Sequence, residues 1–376
     1  VNLRERVLAS VDGKEVYPVP IDVAQNIIYP GLENRLMERL GVNDRENLFR
    51  ALGAHMRWAN PRYIGPPLEK LPNGLDVDPF PAKYAYKDIW GAYPGLMTYS
   101  DGIVQRTFAK ADSVKDIENH SWPNSDWYDY GMVAPPLAED EDYVPIIQWA
   151  QENVHYARVI GGYNPIFGLI CDLCGIETAL MHLVARPDLV HTLVQRITKF
   201  LVSYYEGIAK AGEGYIDILA FGDDFASQRG MMFSPQQWRD YFKSAWTCLF
   251  GIAHKYNMKA MFHSCGAIRL VIGDLMDAGM DIFEIVQIRA KGMDPIELKK
   301  EFGSSLTFYG TVDVQGVLRN YPPDEVRKEI RRLIDIFGPG GRYILTTCHL
   351  LMEDIPVENV LAMYEEARAY VPRKGN

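Results

Sequence analysis

The feature that most constrains this chain is a change of rhythm near residue 150. From there to the C-terminus, short apolar runs alternate with long amphipathic stretches. That alternation predicts parallel strands joined by crossover helices. The strands read at 157–161, 216–224, 259–265, 281–287, 306–313 and 342–349. Between them, helices read at 188–211, from Ser234-Pro235 to about Tyr256, and at 267–278, 294–302, 323–337 and 356–370. The stretch 188–211 carries apolar residues at helical spacing. Ser234 before Pro235 is a cap followed by a residue suited to the first helical position. No glycine-rich dinucleotide fingerprint interrupts the series. Before residue 150 one further strand is clear, YPVPIDV at 17–23, placed to be the first of the set.

Nearly every strand ends in polar residues: Asp22, Asp223 and Asp224, His263 and Cys265, Gln287, Asp313, and Cys348 with His349. In a (β/α)8 barrel, functional residues gather at the C-terminal ends of the strands. A doubly wound open sheet is the runner-up, but it would bring only some of those ends together at its switch point. The expected fold is therefore α/β, a (β/α)8 TIM-type barrel with an elaborated, aromatic-rich N-terminal region. One domain spans 1–376, with residues 24–150 forming a cap or insertion on the barrel. That stretch holds Trp58, Tyr63, Tyr84, Tyr86, Trp90, Tyr93, Tyr99, Trp122, Trp127, Tyr128 and Tyr130. Either they pack the cap onto the barrel, or some line a pocket for a flat or apolar substrate.

His263 and Cys265 are two apart at the end of one strand, so both side chains point the same way. Cys348 ends another strand of the same rim. An imidazole and two thiolates suit zinc, and three protein ligands leave a position for substrate. By residue type alone, two core cysteines and a satisfied histidine fit as well. The strand-end positions, and Gly266 allowing a tight turn, favour the metal. Gln287 is expected to hydrogen-bond the substrate rather than ligate. Glu284, of opposite strand parity, is expected to face the helices. Asp223 and Asp224 are adjacent, so one should face the pocket. It could orient substrate, act as a general acid or support a zinc ligand; loop capping is the alternative. Asp313 is a weaker case of the same kind. His349 is placed beside the site or on the surface, and His155 and Asp22 are candidate pocket residues. Cys171 and Cys174 form C-x-x-C at the start of an apolar helical stretch, which suits core packing better than redox chemistry. Cys248 is expected in the core.

The chain has 376 residues, of which 48% are hydrophobic and 23% charged, the balance of a soluble globular protein. A net charge of −10 argues against nucleic acid as a partner, since phosphates need clustered Lys and Arg. No apolar run approaches a membrane span of about 20 residues, and VNLRERVLAS lacks a signal-peptide core. A cytoplasmic protein without membrane contact is expected. Five cysteines suggest free thiols rather than a disulfide framework.

Several segments carry a resemblance to a known family. They are NLRERVLASVDGKEVYPVPIDV, FGDDFASQRGMMFSPQQWRDYFK, FHSCGAIRLVIGDLMDAGMDIFEIVQ, DPIELKKEFGSSLTFYGTVDVQ and GGRYILTTCHLLMEDIPVENVLAMYEEA. Together they resemble the uroporphyrinogen-decarboxylase superfamily. More narrowly, they are similar to its zinc-dependent branch of methylcobamide:coenzyme M methyltransferases and corrinoid-protein O-demethylases. That branch carries H-x-C and a distant C as its zinc motif, matched here by His263, Cys265 and Cys348. The resemblance implies a zinc-dependent methyltransferase. It would move a methyl group between a small methylated substrate, preferably an aromatic methyl ether, and the cobalt of a separate corrinoid (cobalamin) protein. No corrinoid domain is visible here, so that partner would act in trans. The alternatives are a methyl-corrinoid:thiol methyltransferase and a metal-free, decarboxylase-like lyase. Against the lyase, AQNIIYPGLENR offers one arginine where decarboxylases carry an arginine-rich segment. A non-catalytic binding protein fits poorly with an intact zinc triad. Barrels of this kind often pair, so a homodimer is possible.

Overall fold

A computed structural model of the chain describes residues 2–69, 88–91 and 106–372. Tyr84, Tyr86, Tyr93 and Tyr99 lie outside the described residues.

Seven parallel strands follow one another round the molecule. They are Met56–Tyr63 (β2), Ala157–Gly161 (β3), Ile218–Gly222 (β4), Lys259–His263 (β5), Ile282–Val286 (β6), Thr307–Val312 (β7) and Tyr343–Thr347 (β8). The ring closes through the segment at Ile21 (β1), which bridges Leu345 of β8 in parallel. Asp22 N donates to the Leu345 carbonyl at 3.0 Å, and Leu345 N to the Pro20 carbonyl at 2.8 Å. On its other side the Ile21 carbonyl accepts from His55 N at 2.9 Å, at the threshold of β2. The fold is a TIM barrel, as the strand and helix rhythm implies. Helices Pro187–Ala211, Arg269–Ala278, Pro295–Phe302, Pro323–Phe337 and Val357–Ala369 match the expected stretches. The helix at Ser234 starts on the expected cap, with Ser234 accepting from Gln237 N, but breaks at Phe242 into Pro235–Tyr241 and Lys243–Lys255.

The side chains divide as a barrel requires. One cluster fills the interior: Met56 and Trp58, Val159, Ile218 and Ala220, Met261, Ile282, Ile285, Tyr309 and Ile344. Alternate residues such as Phe262, Phe283 and Phe308 face the helices. Helix Leu3–Val11 plugs the N-terminal end by sending Val7 and Val11 into the interior cluster. Arg4 is paired there with Asp217 at 2.7 Å, and Asp217 also holds Arg158 at 3.1 Å. Burial raises the Asp217 carboxyl, but the two arginines outweigh it and keep it below the usual range.

Strand β2 lies inside the stretch 24–150 that the sequence reads as cap. MRWANPRY has no apolar run, because only Met56 and Trp58 face the interior. Arg57 points outward yet is buried, held by Glu46 at 2.7 Å and stacked 3.7 Å from the Tyr156 ring. Pro61 is tolerated because β2 has by then left β3. It turns to pair antiparallel with Tyr128–Ala134, its register shifting between Pro61 and Arg62. Cys248 is exposed rather than in the core, while Cys171 and Cys174 are buried in helix Phe167–Cys174. Among the described residues no single helix is long and apolar enough to cross a membrane.

Candidate metal centre

Strand β5 delivers His263 to the C-terminal rim with the same inward parity as Met261. Cys265 follows two residues on, and its sulfur lies 3.6 Å from His263 Nε2. Asp224, just past β4, places Oδ1 3.9 Å from the same nitrogen. The ligating atoms of Asp224, His263 and Cys265 all lie within 4.8 Å of one another. A tetrahedral ion with Zn–N of about 2.05 Å and Zn–S of about 2.3 Å separates its nitrogen and sulfur by about 3.6 Å. The observed His263 to Cys265 spacing therefore suits zinc, and the donor set of imidazole, thiol and carboxylate suits it chemically.

The support around these atoms is specific. Asp224 Oδ1 accepts from the Cys265 backbone N at 2.6 Å, fixing the turn. Gly266, at φ +86°, carries the chain away where a Cβ would lie 2.7 Å from the Ser227 carbonyl oxygen. Gln287 Oε1 accepts from Gly266 N at 2.9 Å. Its amide nitrogen donates to Cys265 Sγ at 3.5 Å and to the Cys348 carbonyl at 3.4 Å. Gln287 thus ties the two cysteine segments together. Cys348 is buried, and burial pushes its thiol up to about 12, with Asp313 and then Cys265 adding to the shift and backbone hydrogen bonding opposing it. Its sulfur is not one of the three clustered atoms. Burial also raises the Cys265 thiol, with His263 offsetting part of the effect. For His263, burial favours the neutral ring, but Cys265, Glu284 and Asp224 outweigh it and hold its pKa well above the usual value.

Glu284 turns inward, in step with Ile282 and not toward the helices as counting back from Gln287 implies. The register between β6 and β7 then slips between Tyr309 and Gly310, so that Ile285 faces the interior as well and the phase is lost before Gln287. Glu284 is 1% exposed. Its Oε1 lies 3.6 Å from His263 Nδ1 and accepts from Gln25 Nε2 at 3.0 Å. A carboxylate behind the second ring nitrogen is how proteins aim a ligating imidazole. Asp224 as a cluster member, Glu284, Gln25 and Tyr163 are additions to the set read from the sequence. Tyr163 meets the His263 ring edge-on at 5.7 Å. Only the parity of Asp224 against Asp223 signalled any of them.

The remaining sequence candidates divide by position. His349 lines the 190 Å³ cavity at the cluster, with Gln25, Tyr163, Asp224, His263 and Glu284. Burial lowers its pKa, aided by His263 and opposed by Asp224, which favours a neutral ring. Asp223 faces away from the cluster, as alternation demands of the neighbour of Asp224. Its two oxygens accept from Phe167 N at 2.8 Å and Gly168 N at 2.9 Å, capping helix Phe167–Cys174. Burial lifts Asp223 to about 7 against those bonds. Asp313 caps the turn after β7 through Gln315, Gly316 and Val317, and pairs with Arg289 at 2.7 Å. Asp22 is sealed inside the barrel, accepting from Trp58 Nε1 at 3.0 Å and the Tyr309 hydroxyl at 2.7 Å. His155 is misplaced as a pocket residue. It precedes β3, so it sits at the opposite end of the barrel, exposed, with its carbonyl on Arg4 N.

Residues 138–370, well over half of the chain, match the family model described as uroporphyrinogen decarboxylase (URO-D). No curated protein matches the sequence. Among solved structures, a methyltransferase from Methanosarcina mazei superposes with a TM-score of 0.59 at 16% identity, covering 97% of this chain and 98% of that one. At that identity the likeness is one of fold. Native xylanase 10B from Thermotoga maritima gives a TM-score of 0.35 at 14% identity, over 59% of this chain and 77% of its own, and carries no argument.

Proposed function

The chain belongs to the uroporphyrinogen decarboxylase family, and from that premise we propose that it is a zinc-dependent methyltransferase. It moves a methyl group between a small methylated substrate, an aromatic methyl ether by preference, and the cobalt of a separate corrinoid protein. The observation that carries the reading is the convergence of His263 Nε2, Cys265 Sγ and Asp224 Oδ1 at the C-terminal rim, at zinc-compatible spacing. His263, Cys265 and Cys348 are the proposed ligands, with Asp224 holding the Cys265 turn and offering its carboxylate alongside. Support for Cys348 comes from Gln287, whose one amide nitrogen reaches both the Cys265 sulfur and the Cys348 carbonyl.

A zinc ion held there would supply a Lewis acid at an oxygen or sulfur of the substrate. The protein groups do the rest. Glu284 and Gln25 fix the imidazole so that Nε2 faces the cavity. His349, with its pKa lowered, offers a neutral ring to a bound substrate. Tyr163 walls the cavity against the His263 ring. No Lys or Arg lines this cavity among the described residues. A porphyrinogen, which carries several carboxylates, would find no cationic partner there, so decarboxylation of that substrate is disfavoured.

The test is metal analysis of the purified protein, followed by demethylation of methoxyaromatics with a corrinoid protein present. The expected result is stoichiometric zinc, with turnover lost on chelation and restored by zinc. A zinc-loaded protein inert with every methyl donor and corrinoid protein tried would overturn the proposal.

A further inference from the structure

The cavity at the metal centre holds only 190 Å³, less than a small-molecule site of about 300–1,000 Å³ needs. Two further hollows share its lining residues. Gln25 and Tyr163 also line a hollow of 290 Å³. Tyr128, Tyr163 and Asn164 are in turn common to that hollow and to a recess of 430 Å³. Tyr163 borders all three, which sets the recess beside the metal centre.

The recess has a marked chemistry. Four aromatic residues, Tyr63, Trp90, Tyr128 and Tyr163, contribute to its walls. Their rings are held in place. Trp90 packs edge-on against Phe200 at 4.7 Å and Trp122 at 6.1 Å, and Tyr63 against Tyr128 at 5.5 Å. The ionisable side chains that line it include the acidic Asp88 and Asp172, and no Lys or Arg does so among the described residues. Asp172 Oδ1 is buried with no hydrogen-bond donor. A buried acceptor left without a donor is costly, and a charged one more so.

We infer that this recess binds the ammonium end of a cationic substrate, an aryl methyl ether carrying an amine or quaternary ammonium group. Aromatic faces attract a cation through the ring quadrupole. A carboxylate beside them adds a charge-assisted contact. A carboxylate-bearing substrate would instead meet two acidic side chains and no cation in the lining. Asp172 is under-compensated: burial, then repulsion from Asp88, lifts it to about 7, more than the nearby Arg106 offsets. A bound ammonium offsets both by favouring the charged carboxylate. The inference rests on the methyl-transfer reading only for the chemistry at the metal centre, not for binding in the recess.

The experiment is calorimetric binding to the zinc-loaded protein without corrinoid protein, using three probes that share one ring. They are para-methoxybenzyl trimethylammonium, para-methoxybenzyl alcohol and para-methoxyphenylacetate. The ammonium should bind about tenfold tighter than the alcohol, as one cation–π contact plus a carboxylate supplies, and the acetate weakest. Asp172→Asn should remove that preference while leaving alcohol binding unchanged, which also shows that the variant folds. Trp90→Leu should weaken the ammonium more than the alcohol. Equal affinity for ammonium and alcohol, tightest binding of the acetate, or an equal loss of both probes in Asp172→Asn would overturn the inference. Zinc-stripped protein should keep the ammonium preference, so a failure of the methyl-transfer reading leaves this result standing. Turnover of methoxyaromatics by a charge-blind recess would sink the inference alone.

Discussion

Glu284→Gln should weaken zinc binding by 10- to 100-fold without unfolding the protein. The carboxylate sits 3.6 Å from His263 Nδ1 and is 1% exposed, so little solvent screens it. At an effective dielectric of about 20, opposite unit charges at that distance interact by about 4–5 kcal/mol. An ion on Nε2 puts only part of its charge on the far side of the ring. If roughly a third to a half of the coupling is felt, the loss is about 1.5–2.5 kcal/mol, or some 10- to 70-fold in affinity. That falls within the 10–100-fold cost typical of removing a carboxylate behind a ligating histidine. Glutamine keeps the size and one acceptor oxygen, so Gln25 retains a partner. The assay is competition for zinc with a chromogenic chelator at fixed pH and salt, with circular dichroism as the check on folding. The reasoning fails if Glu284→Gln binds zinc as tightly as the parent while Cys265→Ser loses it. Glu284 would then be packing rather than aiming the imidazole.

Three further outcomes follow from the same geometry. Cobalt substituted for zinc should show the charge-transfer absorbance of two thiolates, falling to one in Cys348→Ser and staying at two in Asp224→Asn; an unchanged spectrum in Cys348→Ser would move the third ligand to Asp224. Asp217→Asn leaves Arg158 buried without its carboxylate, and should cost roughly 3 kcal/mol in denaturant stability at neutral pH. Asp217 titrates below its unfolded value of about 4, so this stability is present above that pH and is lost as pH falls through the folded pKa; variant and parent should converge in acid, and equal stability at neutral pH would refute the pairing. Burial pushes Asp22 the other way, from 3.8 to about 6. Its contribution is therefore complete below pH 4 and lost as pH rises through 6, by on the order of 3 kcal/mol. The stability difference between parent and Asp22→Asn should shift by that amount across the interval, and a difference independent of pH would refute it.

What the sequence discloses about this protein follows from where its periodicity is clean. Six strands after residue 150 are apolar on both faces, as strands buried between a barrel interior and a helical layer must be, and they stand out from the amphipathic helices around them. His263 and Cys265 were legible because a period of two holds through β5. Asp223 and Asp224 were legible as a pair with opposite duties for the same reason, although which of them faces the metal was not. The same rule misassigned Glu284, because alternation holds only while the ladder keeps register, and between β6 and β7 it slips beneath the site. A composition of arginine, asparagine and proline concealed β2, since its outward face is buried by ion pairs and an aromatic ring instead of by apolar side chains. The failures share a cause. Where the ladder slips beside the site, periodicity counted across the slip stops reporting direction, and the buried Glu284 sits at that edge. A buried carboxylate whose orientation no pattern explains is thus the mark by which the unread part of this site is found.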